Sequence, residues 1–224
     1  MMRPRRSLLT LVGVLALSAL PRPAQASAPP IAGHCLVAAD SALLKLHRSG
    51  RTFADFLGAA VRRREGWLRI ADSARVDDAL VRRARAVGGE WKLLVIAVDA
   101  CGDSMNSVPY LASLAEAVPE LELRIVLPTD GQPVQAAHRS LDGRLATPTI
   151  VLLDAAGRDV GCIVELPRVI RRWATAVRGQ VSSDSLHAGI RTFYQNDRGR
   201  GITTELVELL EAARAGQALC DRGR

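Results

Sequence analysis

Aromatic residues are scarce: three Trp, two Tyr and three Phe make up 4% of 224 residues. Lysine is scarcer, with only Lys45 and Lys92, so almost all basic charge is arginine and reads as a coding bias. No basic stripe interleaved with aromatics exists, which removes the usual footprint of a nucleic-acid partner. The formal net charge of +7 does not restore it. Four of those charges (Arg3, Arg5, Arg6 and Arg22) sit in residues 1–26, which hold no acid, and the remaining excess is dispersed. Arg62–Arg64, Arg82-Arg83 and Arg171-Arg172 read as solvated helix faces. No apolar run reaches the roughly 20 residues that span a bilayer core. The histidines, His34, His47, His138 and His187, lack ligand spacing, so neither a metal nor a cofactor is expected. Ser104 with a distant His makes no hydrolase motif. Trp67, Trp91 and Trp173 read as partly buried packing residues.

What is present begins at the N-terminus. Residues 1–6 are basic, residues 7–20 (SLLTLVGVLALSAL) are uncharged and mostly apolar, and Ala24-Gln25-Ala26 offers a small-x-small cleavage site. This is the layout of a secretory signal peptide, with cleavage expected after Ala26. Arg5-Arg6 followed by Ser7-Leu8-Leu9 faintly resembles a twin-arginine signal, so the export route stays open. Cys35, the first cysteine, lies 15 residues past Leu20, too far for a lipoprotein anchor. The expectation is a periplasmic or secreted protein with no stable membrane anchor after cleavage. Its four cysteines (Cys35, Cys101, Cys162 and Cys220) would then meet an oxidising compartment. A Cys35–Cys220 bridge, a Cys101–Cys162 bridge and unpaired packing thiols all remain open.

The full chain is 48% apolar and 24% charged, in the globular range, and residues 27–224, with no repeat and no dividing linker, read as a single domain. Helical spacing covers 36–47, 52–64 and 77–87, the last ended by Gly88-Gly89. The period then changes. Residues 93–98 (LLVIAV) suit a strand buried on both faces. A helix over 103–118, a strand over 121–127 and a short helix over 133–141 follow. Strands over 149–153 and 159–164 flank a turn, and later helices cover 168–177 and 205–213. Residues 216–224 read as a loose tail unless Cys220 ties them down. The order predicts an α/β fold with a central mixed sheet flanked by helices. Its core covers about 91–180, with N-terminal helices at 36–89 and a C-terminal helical extension at 183–214.

The chemistry sits where the first buried strand ends. Asp99-Ala100-Cys101-Gly102-Asp103-Ser104 leads into a helix, and Pro109 lies eight residues past Cys101. A thiol there faces unpaired N–H groups and the positive end of the helix dipole, which favour thiolate, the nucleophile of disulfide exchange. Gly102 permits the tight turn and Asp103 can cap the helix. The negative charges of Asp99 and Asp103 oppose thiolate formation.

Cys-Gly-Asp-Ser after an apolar strand, with Pro109 at that offset, resembles the thioredoxin active-site segment. Ala146-Thr147-Pro148-Thr149 resembles that family's cis-proline loop, and residues 144–166 are similar to a bacterial branch carrying Cys-Gly-Asp-Cys or a variant. The resemblance covers about 91–177. It implies a thioredoxin-like fold, with Cys101 as nucleophile and Thr147 and cis Pro148 docking a substrate peptide. Ser104 stands where the resolving Cys usually lies and could hydrogen-bond the thiolate. Two further departures are Ala100 in place of the usual aromatic and Val95 in place of a buried, proton-transferring Asp. The implied function is monothiol disulfide exchange of an isomerase type, with protein or small-molecule thiols and disulfides as partners. The rival is a redox-inactive binding or scaffold module.

Overall fold

A stretch that is apolar at every position can be buried on both faces only if layers cover it on each side. The computed structural model, which describes residues 41–217 and the backbone of 219–220, shows this. Strand β1 (Trp91–Ile96) lies near the middle of a five-stranded sheet with β2 (Leu121–Val126), β3 (Thr149–Leu153), β4 (Asp159–Val164) and β5 (Leu219–Cys220). The order is β2-β1-β3-β4-β5. β1 runs parallel to β2 and antiparallel to β3, which is antiparallel to β4; β4 is parallel to β5. The mixed sheet of the α/β expectation is therefore present.

Side chains alternate between two cores, as the two-residue period of a strand requires. Leu93 and Val95 of β1, with Ile150 and Leu152 of β3, face one core. That core is filled by α3 (Arg64–Ser73), α5 (Gly102–Ala117) and α9 (Arg200–Arg214), through Trp67, Leu111 and Leu206. Leu94, Ile96, Val151 and Leu153 face the other, closed by Val134 of α6 (Pro128–Ala137) and by Leu43 and Leu46 of α1 (Ser41–Ser49). Each of these sheet side chains is wholly buried, worth about 1.5–3 kcal/mol apiece. A smaller core joins α7 (Arg168–Val177) to α8 (Ser183–Asp197) through Ile170, Ile190 and Tyr194. α4 (Asp78–Val87) completes the helices. All described residues fall within one compact unit.

Several boundaries differ from the sequence reading. The helix expected over 52–64 is two helices. α2 (Phe53–Ala59) starts at Thr52, whose hydroxyl accepts the Asp55 N–H, and it stops at Ala60. Arg63 then turns left-handed at φ 53° before α3 begins. Arg62 and Arg63 are thus a turn rather than a helix face, and Arg64 is the first residue of α3. The Arg64 guanidinium donates to the carbonyls of Leu57, Gly58 and Ala60, capping the helix behind it. Gly66 lets α3 press on Met105 of α5, where a Cβ would collide with the Met105 sulfur.

α6 begins at Pro128, five residues before the expected start, because a proline fits a first helical turn where no N–H bond is required. The expected loose tail adds β5 to the sheet edge. Trp67 and Trp91 are buried at 0% and 8% exposure, whereas Trp173 remains 43% exposed. Arg171, read as solvated, is buried and paired at 2.6 Å with buried Glu205.

Cys101 is a free thiol and Cys162 is disulfide-bonded. This overturns the Cys101–Cys162 bridge and the reading of Cys162 as a packing thiol. The expected Cys35–Cys220 bridge lies outside the described side chains. The signal-peptide reading of residues 1–26, and Cys35 itself, lie outside the described residues. Among the described residues no helix is long and apolar enough to cross a membrane.

Candidate functional site

A helix begins with N–H groups that no preceding turn can satisfy. At the start of α5 the acceptor is sulfur. Cys101 is the residue that caps the helix, and its Sγ accepts the Ser104 N–H at 3.4 Å. Its own N–H donates to the Val98 carbonyl at 3.0 Å, closing the turn out of β1. On its other side the thiol donates to the Thr147 carbonyl at 3.1 Å. The Thr147–Pro148 peptide is cis. The side chain is half-buried, between a helix end and a loop 46 residues away.

Both walls are braced. The Asp99 carboxylate accepts the N–H groups of Val61 and Arg62 at 2.8 and 2.7 Å. Burial works against the charge, but those two N–H groups hold Asp99 below the ordinary carboxylate range. Trp67 Nε1 donates to the Asp99 carbonyl at 2.9 Å, and Arg63 Nε donates to the Ala100 carbonyl at 2.7 Å. The α2–α3 turn thus clamps the residues leading to Cys101. Across the site, Gln135 Nε2 and Thr149 Oγ1 each donate to the Ala146 carbonyl at 2.7 Å, and the Glu165 N–H donates to the Pro148 carbonyl at 2.8 Å. Arg144 and Arg178 pair with Asp142 and Glu165 in one ionic cluster behind the loop.

Two expected roles are corrected. Ser104 is wholly buried and its hydroxyl has no hydrogen-bond partner, so its backbone amide, not its hydroxyl, meets the sulfur. Asp103 does not cap the helix. It turns into a cleft beneath α8, where burial first, then the Glu165 charge, push its carboxyl up to about 6. The Tyr194 hydroxyl neighbours Asp103 and Ser107 but closes no well-aligned hydrogen bond, and burial drives its own ionisation well upward. Gly102 opens α5, and its carbonyl accepts from Asn106 Nδ2 at 2.8 Å. Pro109 lies inside the helix and is buried. Val95 is wholly buried in the sheet, so no carboxyl occupies that position.

Tyr194, Glu165 and Arg63 escaped the sequence reading. Tyr194 is 91 residues past Asp103, and no local pattern links them. The left-handed backbone at Arg63 (φ 53°) and Glu165 (φ 64°) is unusual for these residue types and has no sequence signature. The histidines stay apart: His47 under β2, His138 against Asp159, His187 on α8. Among the described residues no cluster of three or more His, Cys, Asp or Glu could hold a metal ion.

A thiol at a helix origin, faced by a loop with cis Pro148, is the arrangement that the motifs implied. A thioredoxin family model matches residues 50–178, more than half the chain. The chain belongs to the thioredoxin family. Two solved structures share the fold. A protein of unknown function from Pseudomonas aeruginosa is 19% identical, with 76% of this chain and 97% of that chain covered and a TM-score of 0.62. An HIV epitope-scaffold is 19% identical, with 75% and 97% covered and a TM-score of 0.59. No curated protein matches the chain. The family match ends before α8, so the thioredoxin core stops short of the helix that carries Tyr194.

Proposed function

We propose that this thioredoxin-family protein is exported and performs disulfide exchange through the single thiol of Cys101. The observation that carries the reading is the free, half-buried sulfur held between the Ser104 N–H and the Thr147 carbonyl. In thiolate form it attacks one sulfur of a substrate disulfide. The Cys101–substrate bond forms, the old S–S bond breaks, and the leaving sulfur departs as thiolate. With Ser at position 104, no neighbouring thiol reverses the adduct. A second substrate thiol or an external thiol must attack it, which releases Cys101 and leaves a rearranged or exchanged disulfide with no net oxidation. Thr147 and Pro148 border the approaching partner. The export reading is supported by the basic-apolar-small order of residues 1–26 and by a disulfide at Cys162, a bond that persists in oxidising compartments.

The experiment is exchange on a scrambled model disulfide protein, with Cys101→Ser as control and mass spectrometry of trapped adducts. Activity lost in Cys101→Ser supports the reading; no activity and no adduct in the wild type defeats it. The second reading, a redox-inactive binding or scaffold module, is favoured by apolar Val95 and by a Ser104 hydroxyl that touches no sulfur. It predicts the defeating result.

A further inference from the structure

A cleft of about 290 Å³ opens between the first turn of α5 and the face of α8. Gly102 lines it, so the cleft begins one residue from Cys101, with adjacent Cα atoms about 3.8 Å apart. The cavity is the size of one arm of a small ligand rather than of a folded partner.

Its charges do not cancel. Glu165 and Arg178 on its wall are paired in the ionic cluster with Asp142 and Arg144, although Arg178 Nε closes no well-aligned hydrogen bond. Arg63 and Arg191 are exposed guanidiniums facing the same space, with no carboxylate partner among the described residues. The Arg63 guanidinium carbon lies 4.0 Å from where a Gly102 Cβ would stand, which puts positive charge over the helix origin. The opposing acid is Asp103, whose carboxyl burial pushes up to about 6, so its charge opposes an anion above that pH and is removed below it. Tyr194 adds a second observation. It is only 7% exposed, lines the cleft, and its buried hydroxyl neighbours Asp103 and Ser107 without closing a well-aligned hydrogen bond. A buried hydroxyl in that state costs free energy until an acceptor arrives. An anionic oxygen entering between Arg63, Arg191 and the Tyr194 O–H would meet a donor and positive charge together, and below about pH 6 the protonated Asp103 carboxyl adds a second donor.

We propose that this cleft binds the carboxylate-bearing arm of a small disulfide or thiol, held by Arg63 and Arg191 while its sulfur reacts at Cys101. The proposal rests on the exchange reading and names its substrate class. For a disulfide RSSR, Cys101 thiolate forms a Cys101–SR bond, the R–S–S–R bond breaks, and RS⁻ leaves. The two sulfurs of RSSR supply the electron balance, and no further oxidant enters.

The test measures adduct formation at Cys101 with three probes: bis(3-carboxy-4-nitrophenyl) disulfide, neutral 4,4′-dithiodipyridine and cationic cystamine. The variant is Arg191→Glu, at an exposed residue outside the chemistry, and Arg172→Glu on α7 is the control with the same change in net charge. Arg191→Glu is expected to slow the dianionic probe about fivefold or more, the scale of a close charge reversal near water. The neutral probe should stay within about twofold under the same charge reversal. Cystamine should quicken, and Arg172→Glu should move none of the three rates by that much. If Arg191→Glu shifts all probes alike, or if Arg172→Glu slows the dianion equally, the cleft site is overturned while exchange at Cys101 stands. A wild-type protein that forms no adduct with any probe overturns both.

Discussion

Asp103 offers a stability measurement whose sign follows from its burial. Its carboxyl has an ordinary value of 3.8 and is pushed up to about 6 in the fold, chiefly by burial and then by Glu165. The folded state therefore binds this proton more tightly than the unfolded chain. Below the unfolded value both states hold the proton, and nothing is lost. As pH rises from about 4 to about 6 the unfolded chain releases it first, and stability falls. Above about 6 the whole cost is present, about 1.4 kcal/mol for each pH unit of displacement, or about 3 kcal/mol. Asp103→Asn keeps the shape and removes the charge. The variant should be about 0.5 kcal/mol more stable than the wild type from this cause at pH 4, and about 3 kcal/mol more stable at pH 7.5. With a urea slope of about 2 kcal/mol/M, the midpoint difference at pH 7.5 is about 1.5 M. Asp142, held down to about 2 in the fold, acts in the opposite direction on acidification but equally in both proteins, so it cancels. Urea titrations of both proteins from pH 4 to 8 would decide the matter. A difference that does not change with pH refutes the reasoning.

Glu205→Ala removes the carboxylate that pairs with buried Arg171 at 2.6 Å and accepts the Arg168 N–H at 2.6 Å. A loss of about 3–5 kcal/mol is expected in urea unfolding, as for one broken half of a buried ion pair. Ser104→Cys places a second sulfur where a hydroxyl already lies buried without a partner. It should gain insulin-reducing activity absent from the wild type, at a stability change below about 1 kcal/mol; a variant that folds but never reduces insulin would show that the two positions cannot close a disulfide. Asp99→Ala releases the N–H groups of Val61 and Arg62. Faster hydrogen exchange at those two amides and a loss of about 1–3 kcal/mol should follow. The part of that loss due to charge is present above about pH 4 and fades on acidification, because Asp99 is held below its ordinary value.

What could be read in advance separates by the distance over which each feature is decided. The strands β3 and β4 and the helix α7 fall where their periodicity places them, because each apolar pattern is local and each bounding Gly or Pro acts on its own neighbours. The helix over 52–64 was misread because its break depends on a carboxylate 38 residues away. Asp99 accepts the Val61 and Arg62 amides just where α2 has ended, a contact that the apolar pattern over 52–64 does not register. Cys101 could be placed from the strand-to-helix junction alone. The Ser104 hydroxyl could not, since which atom of a residue meets the sulfur depends on how deeply α5 sinks against the sheet. Asp103 shows the same limit more sharply. At a helix start, a sequence offers a carboxylate either as a cap or as a negative charge facing solvent; here burial and the Glu165 charge push it up, and the cleft that buries it is shared with Tyr194. That residue lies on α8, past the thioredoxin match. A helix added outside the family core therefore changes the chemistry available to a residue inside the family motif. The motif residues set where the sulfur stands, and α8, beyond the family match, brings Arg191 and Tyr194 to the cleft that begins at Gly102.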